Sequence, residues 1–216
     1  MSLKKQALNT YGCKMFSQDV KASIQSNLAF LHTMQLNEIP IDKTWTLFLD
    51  RDGVINKKID NDYVRRWEDF HFLDGSLGAL AELSQIFGRI IIITNQRGIA
   101  KGLYSPNDLN NIHDQMIGEI TKAGGRVDGI FFCPHLGDEP ECDCRKPKPG
   151  MANQAKSKFP EIDYSKSILV GDSLSDIVFG ERLGMVTVNI TSSQILKNAM
   201  FHCVSLAEFA GELQKT

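Results

Sequence analysis

A chain of 216 residues with 42% hydrophobic content can bury one substantial core and is too short for two large domains. Its formal charge of -2 gives no field for broad attraction to nucleic acid, and its five cysteines, an odd number, argue against a disulfide framework. No apolar run nears the roughly 20 residues that span a bilayer, and Met1-Ser2-Leu3-Lys4-Lys5 lacks the apolar core of a signal peptide, so a soluble, cytoplasmic monomer is expected.

Residues 1–43 read as an N-terminal helical extension ahead of one domain over 44–216. Val20, Ile24, Leu28 and Leu31 recur at helical spacing, which predicts a helix over Ser17–Leu36 packed on the outside of that domain, and Pro40 follows it. Short apolar runs then alternate with segments of helical period. Strands are predicted at Trp45–Leu49, Arg89–Thr94, Gly129–Cys133, Ser167–Val170, Met185–Ile190 and, more weakly, His202–Ser205. Helices are predicted at Gly75–Phe87, Ser105–Ala123, Pro149–Lys158, Ser175–Leu183 and Ser205–Leu213. Continuous apolar runs rich in Ile, Val and Phe mark strands covered on both faces, and intervening helices supply the crossovers. The expected fold is therefore α/β, a three-layer, doubly wound, mostly parallel sheet.

In such a sheet, ligands gather beyond the carboxyl ends of the strands. The residues that follow each strand form one set: Asp50 and Asp52 after the first, Thr94-Asn95-Gln96 after the second, Cys133 through Arg145-Lys146 after the third, and Gly171-Asp172 with Asp176 after the fourth. Two acids flanking one residue before a glycine turn repel each other unless a cation arrives. A magnesium ion with a phosphate ester supplies that cation and a purpose for the site.

Asp50-Arg51-Asp52-Gly53, Thr94-Asn95, Lys146 and Gly171-Asp172-Ser173-Leu174-Ser175-Asp176 resemble the four ordered motifs of the haloacid dehalogenase superfamily of phosphohydrolases, over roughly Thr44 to Ile190. Within it, Leu49-Asp50-Arg51-Asp52-Gly53, Thr94-Asn95-Gln96 with Gly98-Ile99-Ala100, and Cys142-Asp143-Cys144-Arg145-Lys146-Pro147 resemble the D,D-heptose 1,7-bisphosphate phosphatases. The histidinol-phosphate phosphatases share the Cys-Pro-His and Cys-Asp-Cys-Arg-Lys-Pro elements. The resemblance implies a Mg²⁺-dependent phosphomonoester hydrolase working through an aspartyl phosphate. Its expected substrate is D-glycero-D-manno-heptose 1,7-bisphosphate, losing the 7-phosphate, with histidinol phosphate as the alternative and a polynucleotide 3′-phosphate as a second one.

The chemistry assigns roles. Asp50 attacks phosphorus, and Asp52 gives a proton to the leaving oxygen and later takes one from water, which needs a pKa raised towards neutrality. Mg²⁺ is expected on Asp50, the main-chain carbonyl of Asp52, Asp172 and Asp176. Thr94 and Asn95 are expected to bind phosphoryl oxygens, Lys146 to balance charge, and Arg145 to hold the substrate.

Cys133-x-His135 and Cys142-x-Cys144 bracket a six-residue loop and offer three thiolates and an imidazole, a complete tetrahedral set for structural Zn²⁺. Between Asp52 and Thr94 there is room for a flap, one helix and one strand, so no large cap domain is expected. Selectivity is expected from the flap, Lys57 to Val64 with Asp60 and Tyr63, and from Gln96 and Arg97. The heptose enzymes usually have Thr where this chain has Val54, Ser where it has Arg97, and a basic residue where it has Ser173. A small phosphorylated sugar or metabolite is the expected partner, with neither nucleic acid nor membrane.

Overall fold

The computed structural model describes residues 35–137, 141–192 and 195–215. The helix expected over residues 17–36 lies outside them except for its last two positions. One compact unit begins at Gln35. Leu36 and Ile39 are buried in it, and Lys43 Nζ donates to the carbonyls of Ser84 and Phe87 at 3.1 and 3.3 Å.

Six strands form one parallel sheet: β1 (Thr46–Leu49), β2 (Arg89–Asn95), β3 (Gly129–Cys133), β4 (Ser167–Gly171), β5 (Val186–Ile190) and β6 (Phe201–Cys203), in the order β3-β2-β1-β4-β5-β6. All six expected runs are present, and the weak last one starts one residue early, at Phe201. Leu47 to Leu49, Ile90 to Ile93 and Ile168 to Val170 are all 0% exposed, as strands covered on both faces require.

The helices are α1 (Ser76–Ile86), α2 (Pro106–Lys122), α3 (Gly150–Lys158), α4 (Leu174–Leu183) and α5 (Leu206–Glu212). Ser105 caps α2 by accepting from Asp108 N at 3.1 Å while the Asp108 carboxylate takes Ser105 N at 2.8 Å, with Pro106 at the first helical position. α4 opens with Ser173 N and Oγ both donating to the Asp176 carboxylate, at 3.0 and 2.6 Å, and stops at Gly184, whose φ of 72° is left-handed. α1 packs against α2 and α5, while α3 lies on β2 and β3 and α4 on β4 and β5. Period-two alternation sends Phe48, Ile91, Ile93 and Leu169 into the second layer, among Met151, Ala152, Ala155 and Phe179. The result is a three-layer, doubly wound sheet.

The chain leaves β1 towards β2 on one side and returns to β4 on the other, so the crevice opens beyond the carboxyl ends of β1 and β4. Between β1 and β2 lie a flap, a single 3-10 turn (Trp67–Asp69) and α1. Stacking of Trp67 on Phe70 at 5.1 Å and the edge contact of Phe70 with Phe72 at 5.0 Å pin the base of the flap. Among the described residues, no helix is long and apolar enough to cross a membrane.

Candidate active site

Asp50 directly follows β1, and Asp172 and Asp176 follow β4. One carboxylate oxygen from each comes within 4.8 Å of the others. Two glycines permit that crowding. Gly53 has φ of 91°, and a Cβ there would lie 2.3 Å from Asp172 Oδ2. A Cβ on Gly171 would lie 2.2 Å from Asp176 Cβ.

Lys146 holds the acids together. Its ammonium forms ion pairs with Asp50 Oδ1 at 2.8 Å and Asp176 Oδ1 at 2.6 Å and donates to the Ile93 carbonyl at 2.9 Å. Burial works against its charge, but Asp176 and Asp50 outweigh it and hold the group protonated well above the usual lysine range. Burial raises the Asp50 carboxyl to about 7, with Lys146 opposing and the Asp176 and Asp172 charges adding. Asp172 is likewise raised, chiefly by burial. Its Oδ2 takes Lys58 Nζ at 2.8 Å, whereas Oδ1 is buried without a hydrogen-bond partner among the described residues. A buried carboxylate oxygen lacking a donor, beside two more acids, is a ligand set suited to a hard divalent cation.

Asp52 corrects one expectation. Its carboxyl lies below the ordinary range, because Arg51, Asn56 and Gln96 together outweigh a large burial effect in the other direction. Arg51 Nη2 sits 2.9 Å from both oxygens, with Asn56 Nδ2 at 2.9 Å and Gln96 Nε2 at 3.0 Å. A pKa raised towards neutrality is therefore absent from this arrangement. Gln96, expected to meet the substrate, is 1% exposed and gives its amide hydrogens to Asp52 and to Thr94 Oγ1. The Asn95 side chain is likewise committed, accepting from Lys146 N at 3.1 Å and donating to Lys146 O at 3.4 Å, which fastens the end of β2 to the loop before α3.

In that loop, Cys133, His135, Cys142 and Cys144 form a four-ligand cluster. Sγ of Cys142 lies 3.7 Å from Cys133 and 3.6 Å from Cys144, and His135 Nδ1 is 3.2 Å from Cys144 Sγ and 3.6 Å from Cys133 Sγ. A tetrahedral site with Zn–S bonds of about 2.3 Å separates its sulfurs by about 3.8 Å, so these four atoms have the spacing of a zinc shell. The cluster sits in the core beside Met151 and immediately precedes Arg145 and Lys146.

A cavity of about 460 Å³ opens over the acids, and Arg97, Lys101, Arg145 and Tyr63 form its outer wall. Arg97 Nε donates to the Tyr63 hydroxyl at 2.8 Å, and Lys101 Nζ lies 5.4 Å from the Tyr63 ring centre. Among the described residues, no carboxylate pairs with Arg97, Lys101 or Arg145. Asp60, expected here, is exposed and outside the lining, while its neighbours Asn61 and Asp62 belong to it. Sequence reasoning missed Asn56, Tyr104 and His113, and placed Lys58 in the flap without its contact to Asp172. Lys58 carried a signal as the only flap residue besides Lys57 able to neutralise the crowded acids. His113 carried none, since a histidine on a helix face looks like any core residue.

The family described as "Polynucleotide kinase 3 phosphatase" matches residues 46–198. The chain is similar to a D-glycero-alpha-D-manno-heptose-1,7-bisphosphate 7-phosphatase of Mycobacterium tuberculosis, 39% identical over 151 residues that cover 70% of this chain and 79% of the relative. It is also similar to a protein of the same name from Campylobacter jejuni, at 42% identity over 156 residues, covering 70% and 85%. A solved D,D-heptose 1,7-bisphosphate phosphatase from B. bronchiseptica, complexed with magnesium and phosphate, superposes with a TM-score of 0.70 at 34% identity, covering 78% of this chain and 97% of that one. With its parallel sheet and the acids gathered at one pole, the chain belongs to the haloacid dehalogenase superfamily and is a phosphomonoester hydrolase of that kind.

Proposed function

We propose that the protein removes the 7-phosphate from a D-glycero-D-manno-heptose 1,7-bisphosphate with Mg²⁺ as its metal. The observation that carries the substrate choice is the outer wall of the cavity. Arg97, Lys101 and Arg145 line the same cavity as Asp50 and suit a second anionic group on the substrate. The same wall repels the ammonium group of histidinol phosphate. The names of the similar enzymes and their identities support the same substrate. A polynucleotide 3′-phosphate is the second reading, favoured by the description of the matching family; the net charge of -2 argues against it.

Asp50, Asp172, Asp176 and the main-chain carbonyl of Asp52 would hold the magnesium ion, which when bound neutralises charge on the phosphoryl oxygens. The reaction at the protein's own atoms is a double displacement. An Asp50 oxygen bonds to phosphorus as the ester P–O bond breaks, and Asp52, whose carboxyl is ionised in the ligand-free protein, takes up a proton with the substrate and passes it to the leaving alkoxide. Water then attacks the aspartyl phosphate, Asp52 takes the water's proton, and Asp50 leaves as a free carboxylate with release of phosphate. Thr94 offers its hydroxyl hydrogen to a phosphoryl oxygen, because its own oxygen already accepts from Gln96 at 2.8 Å. Lys146 keeps Asp50 and Asp176 from repelling each other.

The four-ligand cluster is a structural zinc site in this reading, since no ligand position is left open. It fastens the loop that delivers Arg145 and Lys146. Unpaired thiols at Cys133, Cys142, Cys144 and Cys203 suit a reducing, cytoplasmic setting. Steady-state rates on heptose 1,7-bisphosphate, histidinol phosphate and a 3′-phosphorylated oligonucleotide test the substrate. A kcat/KM for the bisphosphate below that for either other compound overturns it.

A further inference from the structure

The acid/base candidate is surrounded by side chains to which the reaction above gives no chemical step. Asp52 Oδ1 accepts from Arg51 Nη2 and from Asn56 Nδ2, both at 2.9 Å, and Oδ2 accepts from Arg51 Nη2 at 2.9 Å and Gln96 Nε2 at 3.0 Å. The two key donors are themselves held from behind. Arg51 is 0% exposed, and its Nη1 lies 3.2 Å from Nε2 of His113 on α2. A guanidinium can only donate, so His113 must present an unprotonated Nε2 and carry its hydrogen on Nδ1. The guanidinium also lies 6.0 Å from the Phe70 ring centre, and the His113 ring meets Phe132 edge-on at 6.2 Å.

Gln96 is fixed in the same manner. The Tyr104 hydroxyl donates to Gln96 Oε1 at 2.5 Å, while Nε2 serves both Asp52 and Thr94. Rotating the amide by half a turn would set its oxygen against the Asp52 carboxylate, two acceptors with no hydrogen between them. The amide therefore has one satisfactory orientation. It links the acid/base candidate to the hydroxyl next to the phosphate.

We propose that Arg51 and Gln96, anchored by His113 and Tyr104, are positioning residues that set the direction of the Asp52 carboxylate for proton transfer to the leaving oxygen. They act through Asp52, and the proposal rests on the acid/base role given to Asp52 above. It is independent of which sugar the enzyme takes. A carboxylate met by Arg51 Nη2, Asn56 Nδ2 and Gln96 Nε2 keeps one rotamer, and proton transfer depends on the direction of the carboxyl oxygen as well as on its presence.

The test compares kcat/KM of the magnesium-loaded full chain on phenyl phosphate, whose leaving group needs a proton, and on 2,4-dinitrophenyl phosphate, whose leaving group does not. Gln96→Met and His113→Leu are expected to lose about 10- to 100-fold on phenyl phosphate and less than about threefold on the dinitrophenyl ester. Tyr104→Phe should show a milder form of the same selectivity. His113→Gln, which keeps an acceptor for Arg51, should recover most of the loss. Equal losses on both esters in Gln96→Met and His113→Leu, or no loss on either, overturn the proposal. Asp52→Asn separates it from its premise: an equal loss on both esters in that variant removes the acid/base role itself, whereas a selective loss there with unselective Gln96 and His113 variants removes only the positioning role.

Discussion

Replacing Lys146 by Met keeps the length of the side chain and deletes its charge. Lys146 is 3% exposed, and its ammonium pairs with Asp50 and Asp176, which are themselves 8% and 0% exposed. Removing one partner of a buried ionic group costs about 3–5 kcal/mol, because the largely buried acids left behind repel each other without that charge between them. Asp50 has one escape, which is to take up a proton. In the native chain its carboxyl titrates at about 7, so at pH 8 it is largely ionised and stability changes little with pH on its account. Without Lys146 the carboxyl titrates higher still. Folding of the variant then draws a proton that the unfolded chain, with an ordinary value of 3.8, does not bind. Its stability falls as pH rises, by about 1.4 kcal/mol per unit, over a range where the native chain changes by only a few tenths of that. Urea unfolding in magnesium-free buffer should show a deficit of about 3–5 kcal/mol at pH 8 with an unchanged m-value, and a deficit about 1 kcal/mol smaller at pH 7. Adding Mg²⁺ should return part of it. A deficit below about 1 kcal/mol at pH 8, or one that ignores pH, would refute the view of Lys146 as the cation that holds the acids together.

His113 gives a second linkage. Burial, aided by the Arg51 charge, lowers it from 6.5 to about 3. The unfolded chain thus binds a proton there that the folded chain refuses, and stability falls as pH drops below 6.5. Between pH 7 and pH 5 this costs about 2 kcal/mol, and thermal melts of His113→Gln should lose that much of the pH dependence; an unchanged slope contradicts the assignment. Metal analysis of protein purified without chelator should find about one zinc per chain. Cys142→Ser should lower that content and, by loosening the loop carrying Arg145 and Lys146, reduce kcat/KM about tenfold or more; full zinc occupancy in the variant speaks against the cluster. Arg97→Ser should raise KM for a sugar bisphosphate about 10-fold with little effect on a sugar monophosphate, and equal effects on the two would remove Arg97 from recognition of the second anion.

The fold was legible because its strands are continuous apolar runs and its helices carry strong ends, such as Ser105-Pro106 before α2 and Gly184 after α4. The acids were legible because parallel topology sends Asp50, Asp172 and Lys146 to one pole, and the cluster because its four ligands come in two tight pairs. Direction was not legible. Asp52 and Gln96 were read as groups facing the substrate, but they bond each other, and the reason is Arg51, a cation between two acids whose side chain turns back into the core. Nothing in the order of residues says that His113, on the second helix, waits there as its acceptor. Asp60 was chosen over Asp62 on the flap, where a turn of one or two residues decides which side chain meets the cavity.

The central claim is that Asp50 becomes phosphorylated, as an acyl phosphate. Rapid quenching of the working enzyme, reduction with borohydride and peptide sequencing should find homoserine in place of aspartate at position 50, and none in Asp50→Asn. Turnover with unmodified Asp50 under those conditions, or homoserine at position 52 or 172, would contradict it.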